Sequence, residues 1–309
     1  MQLLGILGPT AVGKTHIAIC LAKQLNTEII SADSMQIYRG LNIGTAKITK
    51  KDAQGIFHHM VDIIDPDQTF SSFEYAKECN KIINNMTQKS KIPLIVGGTG
   101  FYFDALLYPI SYTDEGKDEI RKQLKKELTT HGAHYLLNKL KRIDPISAQD
   151  IHPNNTVRLI RALEIYYATG CKKSDLIRPT KYAYPITLIV LNCGRQILYE
   201  RINNRVDQMI KLGLVDEVKG LLKTYPPDSQ CFSAIGYKEI FDYLKGESSL
   251  EQATELIKKK TRNYAKRQLT FFKRFKNAVW INTTDFADKQ EIVNNILEIY
   301  QNEASTSEQ

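Results

Sequence analysis

The eight residues Gly8-Pro9-Thr10-Ala11-Val12-Gly13-Lys14-Thr15 fit G-x-x-x-x-G-K-[ST] at every position. Residues of these types at this spacing hold phosphate. The glycines let backbone N–H groups wrap an anion, a following helix N-terminus adds positive potential, and Lys14 adds a full charge. Gly8, Thr10, Ala11, Val12, Gly13, Lys14 and Thr15 are therefore the expected cradle for a polyphosphate. The Thr15 hydroxyl would be offered to a magnesium ion bridging the phosphate oxygens.

Other residues could act on whatever the cradle holds. Asp33 follows the apolar run Ile29-Ile30-Ser31-Ala32. There a carboxylate can cap a turn, support magnesium from a distance, or serve as a general base. Thr99, within Gly97-Gly98-Thr99-Gly100, is a turn residue or a hydroxyl donor to phosphate or substrate. Arg201 and Arg205 stand one helical turn apart and either face solvent or close over the phosphates to stabilise a leaving group. Arg158 and Arg161 can pair with Glu164 or face nucleic-acid phosphate. Two expected parts of a nucleotide-hydrolysing site are missing. The strand ending at Gly97 delivers no Asp for magnesium, and there is no Asn/Thr-Lys-x-Asp guanine-reading motif, which weighs against a GTPase.

The elements that must position these groups alternate between apolar runs and helical periodicity. Strands are expected at 3–7, 28–33, 58–64, 93–97, 184–191 and 278–282. Helices are expected after the phosphate loop and at 72–86, 101–107, 117–128, 133–143, 155–167, 195–222, 234–244, 250–275 and 289–300, with a loop over 35–49. This alternation predicts an α/β fold, a P-loop NTPase-like parallel sheet flanked by helices, whose ligands bind outside the carboxyl ends of the strands. Between two of the strands the pattern is helical only. The expected division is a catalytic core over 1–111 and 183–301, an all-helical insertion over 112–182, and a disordered tail over 302–309, which lacks large apolar residues.

With 309 residues, 42% of them hydrophobic, the chain can bury one sizeable core and a smaller satellite. No apolar run approaches the ~20 residues that span a bilayer. Met1 leads almost directly into the first strand, which leaves no room for a secretion signal, so a cytoplasmic protein is expected. Cys20, Cys79, Cys171, Cys193 and Cys231 are odd in number and widely spaced, as reduced thiols are. The net charge of +8 is concentrated between Lys258 and Lys276, where Lys and Arg alternate with Tyr264, Phe271, Phe272 and Phe275 and no acid occurs. A one-signed run of this kind points to a polyanionic partner, although parts of it could pack on the sheet.

Taken in order, the motifs resemble the bacterial form of the tRNA dimethylallyltransferase (isopentenyltransferase) family. They are the phosphate loop, Ile30-Ser31-Ala32-Asp33-Ser34-Met35-Gln36-Ile37-Tyr38-Arg39, Asn42-Ile43-Gly44-Thr45-Ala46-Lys47, and His58-His59-Met60-Val61-Asp62. Then come Gly97-Gly98-Thr99-Gly100-Phe101-Tyr102, Val157-Arg158-Leu159-Ile160-Arg161-Ala162-Leu163-Glu164, Ala234-Ile235-Gly236-Tyr237-Lys238-Glu239 and Thr261-Arg262-Asn263-Tyr264-Ala265-Lys266-Arg267-Gln268. Phe271 stands where many relatives carry Trp, and the zinc-finger extension of eukaryotic relatives is missing.

The resemblance implies transfer of a dimethylallyl group from its diphosphate to N6 of the adenine just 3′ of the anticodon, tRNA position 37. Under it the cradle holds a diphosphate leaving group, with magnesium on Thr15. Asp33, Thr99 and Arg205 are the implied catalytic residues. Contacts to the tRNA anticodon arm are implied at Asp33, Ser34, Met35, Gln36, Thr99 and Arg121, at Val157, Arg158, Leu159, Ile160 and Arg161, and at Cys231, Phe232, Ser233, Ala234, Ile235 and Gly236. Nothing in the sequence demands an oligomer, so a monomer is expected. The competing readings are a P-loop kinase with Arg201 and Arg205 as lid residues, and a noncatalytic RNA-binding regulator.

Overall fold

The computed structural model describes residues 2–109, 117–176 and 179–307. In chain order the elements are β1 (Leu3–Leu7), α1 (Lys14–Gln24), β2 (Ile29–Ala32), α2 (Lys50–Ala53), β3 (His58–His59), α3 (Ser72–Gln88), β4 (Leu94–Gly97) and α4 (Gly100–Leu107). Four helices follow, α5 (Lys117–His131), α6 (Ala133–Ile143), α7 (Pro145–Asp150) and α8 (Thr156–Thr169). The chain continues with β5 (Ile186–Asn192), α9 (Arg195–Lys211), α10 (Leu214–Leu222), α11 (Tyr237–Leu244), α12 (Leu250–Phe272), β6 (Val279–Asn282) and α13 (Lys289–Ser307).

β1, β2 and β4 are buried along their whole length, as strands covered on both faces must be. They lie in one six-stranded sheet of order β3-β2-β4-β1-β5-β6 in which every pairing is parallel. Register then decides what meets at the carboxyl edge. Leu7 pairs with Gly97, and Gly97 with Ala32, so Gly8, Gly98 and Asp33 leave the sheet side by side. Two strand spacings, about 10 Å, separate the first from the last. α1 packs on the sheet through Ile17, Ala18, Leu21 and Ala22, α9 through Leu198 and Ile202, and α13 through Ile292, Val293 and Ile296.

The chain divides into two compact units, Met1–Leu107 with Tyr182–Gln309, and Tyr108–Lys181. The expected boundary at 111/112 lies outside the described residues. Within the second unit α5, α6 and α8 close on Leu124, Leu136, Leu140, Leu159 and Leu163. The buried Glu164 receives both Arg121 and Arg161, each at 2.7 Å.

Three expectations are corrected. The strand expected over 58–64 ends after His59, because Met60 (φ 62°) and Asp62 (φ 55°) turn the backbone into the left-handed region. The helix expected over 195–222 is broken at Gly213 (φ 96°) into α9 and α10. The tail expected to be disordered from 302 is helical through Ser307, while residues 308 and 309 lie outside the described residues. Propagating an existing helix is cheap, and Glu303 anchors this one by accepting a 2.6 Å bond from Thr187 of β5.

The loop over 35–49 is held from outside. Glu217 of α10 accepts from the N–H groups of Asn42 (3.0 Å), Ile43 (2.8 Å) and Gly44 (3.2 Å) and from the Tyr237 hydroxyl (2.6 Å). Lys47 donates to the Tyr38 carbonyl at 2.6 Å and to Asp62 at 2.5 Å. Glu217→Ala leaves these donors without their acceptor. It is expected to cost about 1–3 kcal/mol of stability, read as a lowered denaturation midpoint in urea; an unchanged midpoint would show the loop to be self-supporting.

Candidate active site

The phosphate loop spans the gap between β1 and α1. Gly13, the last residue before α1, caps the helix at φ 105°, a left-handed conformation that glycine adopts without steric cost. Lys14 folds back over the loop, donating to the carbonyls of Gly8 (2.7 Å) and Pro9 (2.8 Å). Burial lowers its pKa from the ordinary lysine range to about 7; the Asp33 charge works against that fall, and Arg205 adds to it. Lys14, Thr15, Asp33, Gln36 and Gly98 line one cleft. The side chain of Asp33 therefore faces the cradle rather than the far edge of the sheet.

Two arginines of α9 reach the same loop. Arg205 donates to the Thr10 hydroxyl at 3.2 Å and Arg201 to the Val12 carbonyl at 3.4 Å. Burial lowers the Arg205 pKa, and the Asp33 charge opposes the change. Both side chains therefore contact the loop, whereas a fully solvated pair would not. Arg201 is the more exposed of the two.

Asp33 does cap a turn, since its Oδ1 accepts from the N–H groups of Met35 (2.9 Å) and Gln36 (3.3 Å). Both bonds fall on one oxygen, which fixes the carboxylate while leaving the other oxygen out of the cap. Thr99 ties β4 to the Asp33 segment: its Oγ1 accepts from the Ser34 N–H at 3.0 Å and lies 3.3 Å from the Ser34 hydroxyl. Tyr264 of α12 stands beside this pair. Burial, then the Asp33 charge, push its phenol up to about 12, while hydrogen bonds with Thr99 and Gln268 pull it down. Tyr102 is likewise raised, by burial and by Asp33. The carboxylate therefore sits near two phenols that keep their protons at neutral pH. Chemically, this is a cationic grip for phosphate on the same cleft as an oriented carboxylate.

Asp33, Ser34, Met35, Gln36 and Thr99 are half-buried, and of these Asp33 and Gln36 line the cleft. Of the other residues that the resemblance assigned to RNA, Cys231, Phe232 and Ala234 have buried side chains within the core around α10 and α11, while Ser233 is exposed. In the second unit Val157 and Arg158 are exposed, Leu159 and Ile160 are buried, and Arg121 and Arg161 are ion-paired to Glu164.

The basic run divides. Lys258 pairs with Asp207 and Glu255, Lys260 with Glu239, and Arg262 donates to Asn203. The interleaved aromatics turn inward, Phe272 and Phe275 into the core and Phe271 onto Phe101. Lys259, Lys266, Arg267, Lys273, Arg274 and Lys276 remain exposed. Sequence reasoning missed Tyr264 and Gln268 as site residues. Their four-residue spacing on one helix face was the available signal, hidden inside a stretch noted for its charge.

A model of the IPP transferase family matches residues 36–275. The tRNA dimethylallyltransferase of Thermoanaerobacter sp. (strain X514) is 48% identical over 304 residues, 96% of each chain. The enzyme of that name from Bacillus cereus (strain AH187) is 47% identical over 291 residues, 93% of this chain and 92% of the other. Among solved structures, the tRNA isopentenylpyrophosphate transferase of Bacillus halodurans superposes with a TM-score of 0.75 at 41% identity, covering 100% of this chain and 99% of that one. A eukaryotic dimethylallyltransferase acting on tRNA gives a TM-score of 0.79 at 29% identity, over 91% of this chain and 73% of its own. With the phosphate loop, the Asp33 turn and the Thr99 turn gathered on one sheet edge, and relatives alike over nearly their full length, the chain belongs to the IPP transferase family, that of the tRNA dimethylallyltransferases.

Proposed function

We propose that this protein transfers a dimethylallyl group from dimethylallyl diphosphate to N6 of the adenine at tRNA position 37, giving N6-isopentenyladenosine and diphosphate. It acts in the cytoplasm as a monomer. The observation that carries the reading is the shared cleft of Lys14 and Asp33: a grip for a departing diphosphate faces a fixed proton acceptor.

As the allylic C1–O bond breaks, positive charge spreads over the allyl unit and negative charge grows on the diphosphate. Lys14, the loop N–H groups and Arg205 stabilise that anion. Adenine N6 is a weak nucleophile because its lone pair is delocalised into the ring, but it becomes strongly acidic as the new C–N bond forms. The Asp33 oxygen outside the turn cap takes the proton, and Thr99 contacts the target nucleotide. The adenine leaves its stack to reach the cleft.

Among the described residues no cluster of three or more His, Cys, Asp or Glu could cage a metal. Magnesium, held largely by phosphate oxygens and water, needs few protein ligands. Thr15 would hold it, and the ion would neutralise diphosphate charge. Further tRNA contacts fall on Arg158 and Val157 in the helical unit, on Ser233, and on the exposed lysines and arginines of the basic run.

The test is incubation with tRNA and labelled dimethylallyl diphosphate in the absence of ATP. Label on tRNA, recovered after digestion as a five-carbon adenosine adduct, is the expected result. No label on tRNA, with ADP formed from ATP and a small acceptor, would instead establish a kinase.

A further inference from the structure

Gln268 lies on α12 and is 5% exposed. Its Oε1 accepts from the Thr10 N–H at 3.0 Å and its Nε2 donates to the Gly98 carbonyl at 2.8 Å. Those partners settle which end of the amide is which, since an N–H needs an acceptor and a carbonyl a donor. The position it spans is a fork. β1 and β4 stay paired as far as Leu7 and Gly97; beyond them the phosphate loop and the Thr99 turn separate with no strand pairing to hold them.

The helix fits the fork closely. A Cβ at Gly98 would lie 2.3 Å from Gln268 Nε2, and one at Gly100 would lie 2.3 Å from the Phe271 ring. One turn before Gln268, Tyr264 lies close enough to Thr99 for that hydroxyl to act on its phenol. One face of α12 thus touches both loops, and Gln268 alone of these residues bonds to each.

We infer that Gln268 is a positioning residue whose amide acts as a strut, setting the separation between the diphosphate cradle and the Thr99–Asp33 side where the acceptor amine is received. The inference rests on the prenyl-transfer reading above. Transfer between two bound partners depends steeply on their spacing, and a misplacement of about 1 Å can cost about a hundredfold in rate. A glutamine that served stability alone would leave turnover of the folded protein intact.

Gln268→Met keeps the length and removes both hydrogen bonds, whereas Gln268→Glu keeps the bond to Thr10 and loses the donor to Gly98. In both variants kcat is expected to fall about 30–100-fold, while the KM for dimethylallyl diphosphate and the Kd for inorganic pyrophosphate stay within about threefold. By NMR, hydrogen exchange at the Thr10 amide should accelerate in Gln268→Met and not in Gln268→Glu. Unchanged kcat in folded Gln268→Met overturns the inference. So does a loss of kcat matched by an equal loss of pyrophosphate affinity, which would confine Gln268 to shaping the cradle. Unchanged Thr10 exchange in Gln268→Met overturns it as well. Should Gln268→Met fail to fold, Gln268→Glu carries the kinetic test, and the same changes in kcat and pyrophosphate affinity decide it. If the parent protein transfers no prenyl group, the proposed function fails, and Thr10 exchange still decides whether the strut exists.

Discussion

Asp33→Ala lowers the rate of prenyl transfer by roughly a hundredfold to a thousandfold, the range expected on removing a general base, while tRNA affinity stays within a few-fold. The product amine must lose a proton, and Asp33 is the carboxylate that lines the cleft with Lys14. The nearby phenols of Tyr264 and Tyr102 are held above their ordinary range by burial and by Asp33 itself, so neither is ionised at neutral pH to replace it. Alanine also removes the acceptor for the Met35 and Gln36 N–H groups, so a second variant is needed to separate the two roles. Asp33→Asn retains a side-chain oxygen for the cap and cannot take the proton. Single-turnover label transfer should therefore be as slow in Asp33→Asn as in Asp33→Ala, with the Asn variant unfolding at the parent's temperature. Near-parental turnover in Asp33→Asn would reduce Asp33 to a turn cap.

Lys14→Ala is expected to weaken inorganic pyrophosphate binding by about a hundredfold or more, since a charge-assisted contact in a desolvated cleft is lost. The lysine also makes binding pH-dependent. Its pKa in the folded protein is lowered to about 7, chiefly by burial, and a bound anion favours its charged form. Above pH 7 the free site is largely neutral, so pyrophosphate must bring a proton with it. Affinity should then fall by up to about tenfold per pH unit between pH 7 and the ordinary lysine pKa. Calorimetry at pH 8.5 in buffers of different ionisation heat, corrected for the ligand's own protonation, should read an uptake approaching one proton, absent in Lys14→Ala. The sign for stability is opposite. Over the same window the unfolded chain binds the proton that the folded chain has lost, so this group's contribution to stability rises with pH, and Lys14→Ala flattens that slope. Proton uptake in Lys14→Ala equal to the parent's would assign the effect to another group.

Parallel architecture and the glycine-lysine loop that joins β1 to α1 were legible in the sequence because both depend on local pattern. Continuous apolar runs such as Leu3–Leu7 and Leu94–Gly97 can be satisfied only by burial on both faces. The glycine and lysine spacing of residues 8–15 has one principal use. Element ends were less legible where backbone conformation or a distant contact intervened. β3 stops at residues of positive φ that are not glycine, and α13 continues because Glu303 meets Thr187, which is 116 residues away in sequence.

The basic run shows the same division. Its net charge is a property of composition, but which residues are spent internally is not. Lys258, Lys260 and Arg262 are matched by Asp207, Glu239 and Asn203 from other helices, and Phe272 and Phe275 further along the run turn into the core. By itself the sequence determined that a phosphate loop would open a parallel sheet and that Asp33 and Thr99 would end two of its strands. Only the tertiary structure decided that Arg205 leans onto Thr10, that Tyr264 stands beside Thr99, and that Gln268 joins Thr10 to Gly98. Periodicity assigns a helical residue to a face; what that face meets is set by the packing of helices that lie far away along the chain.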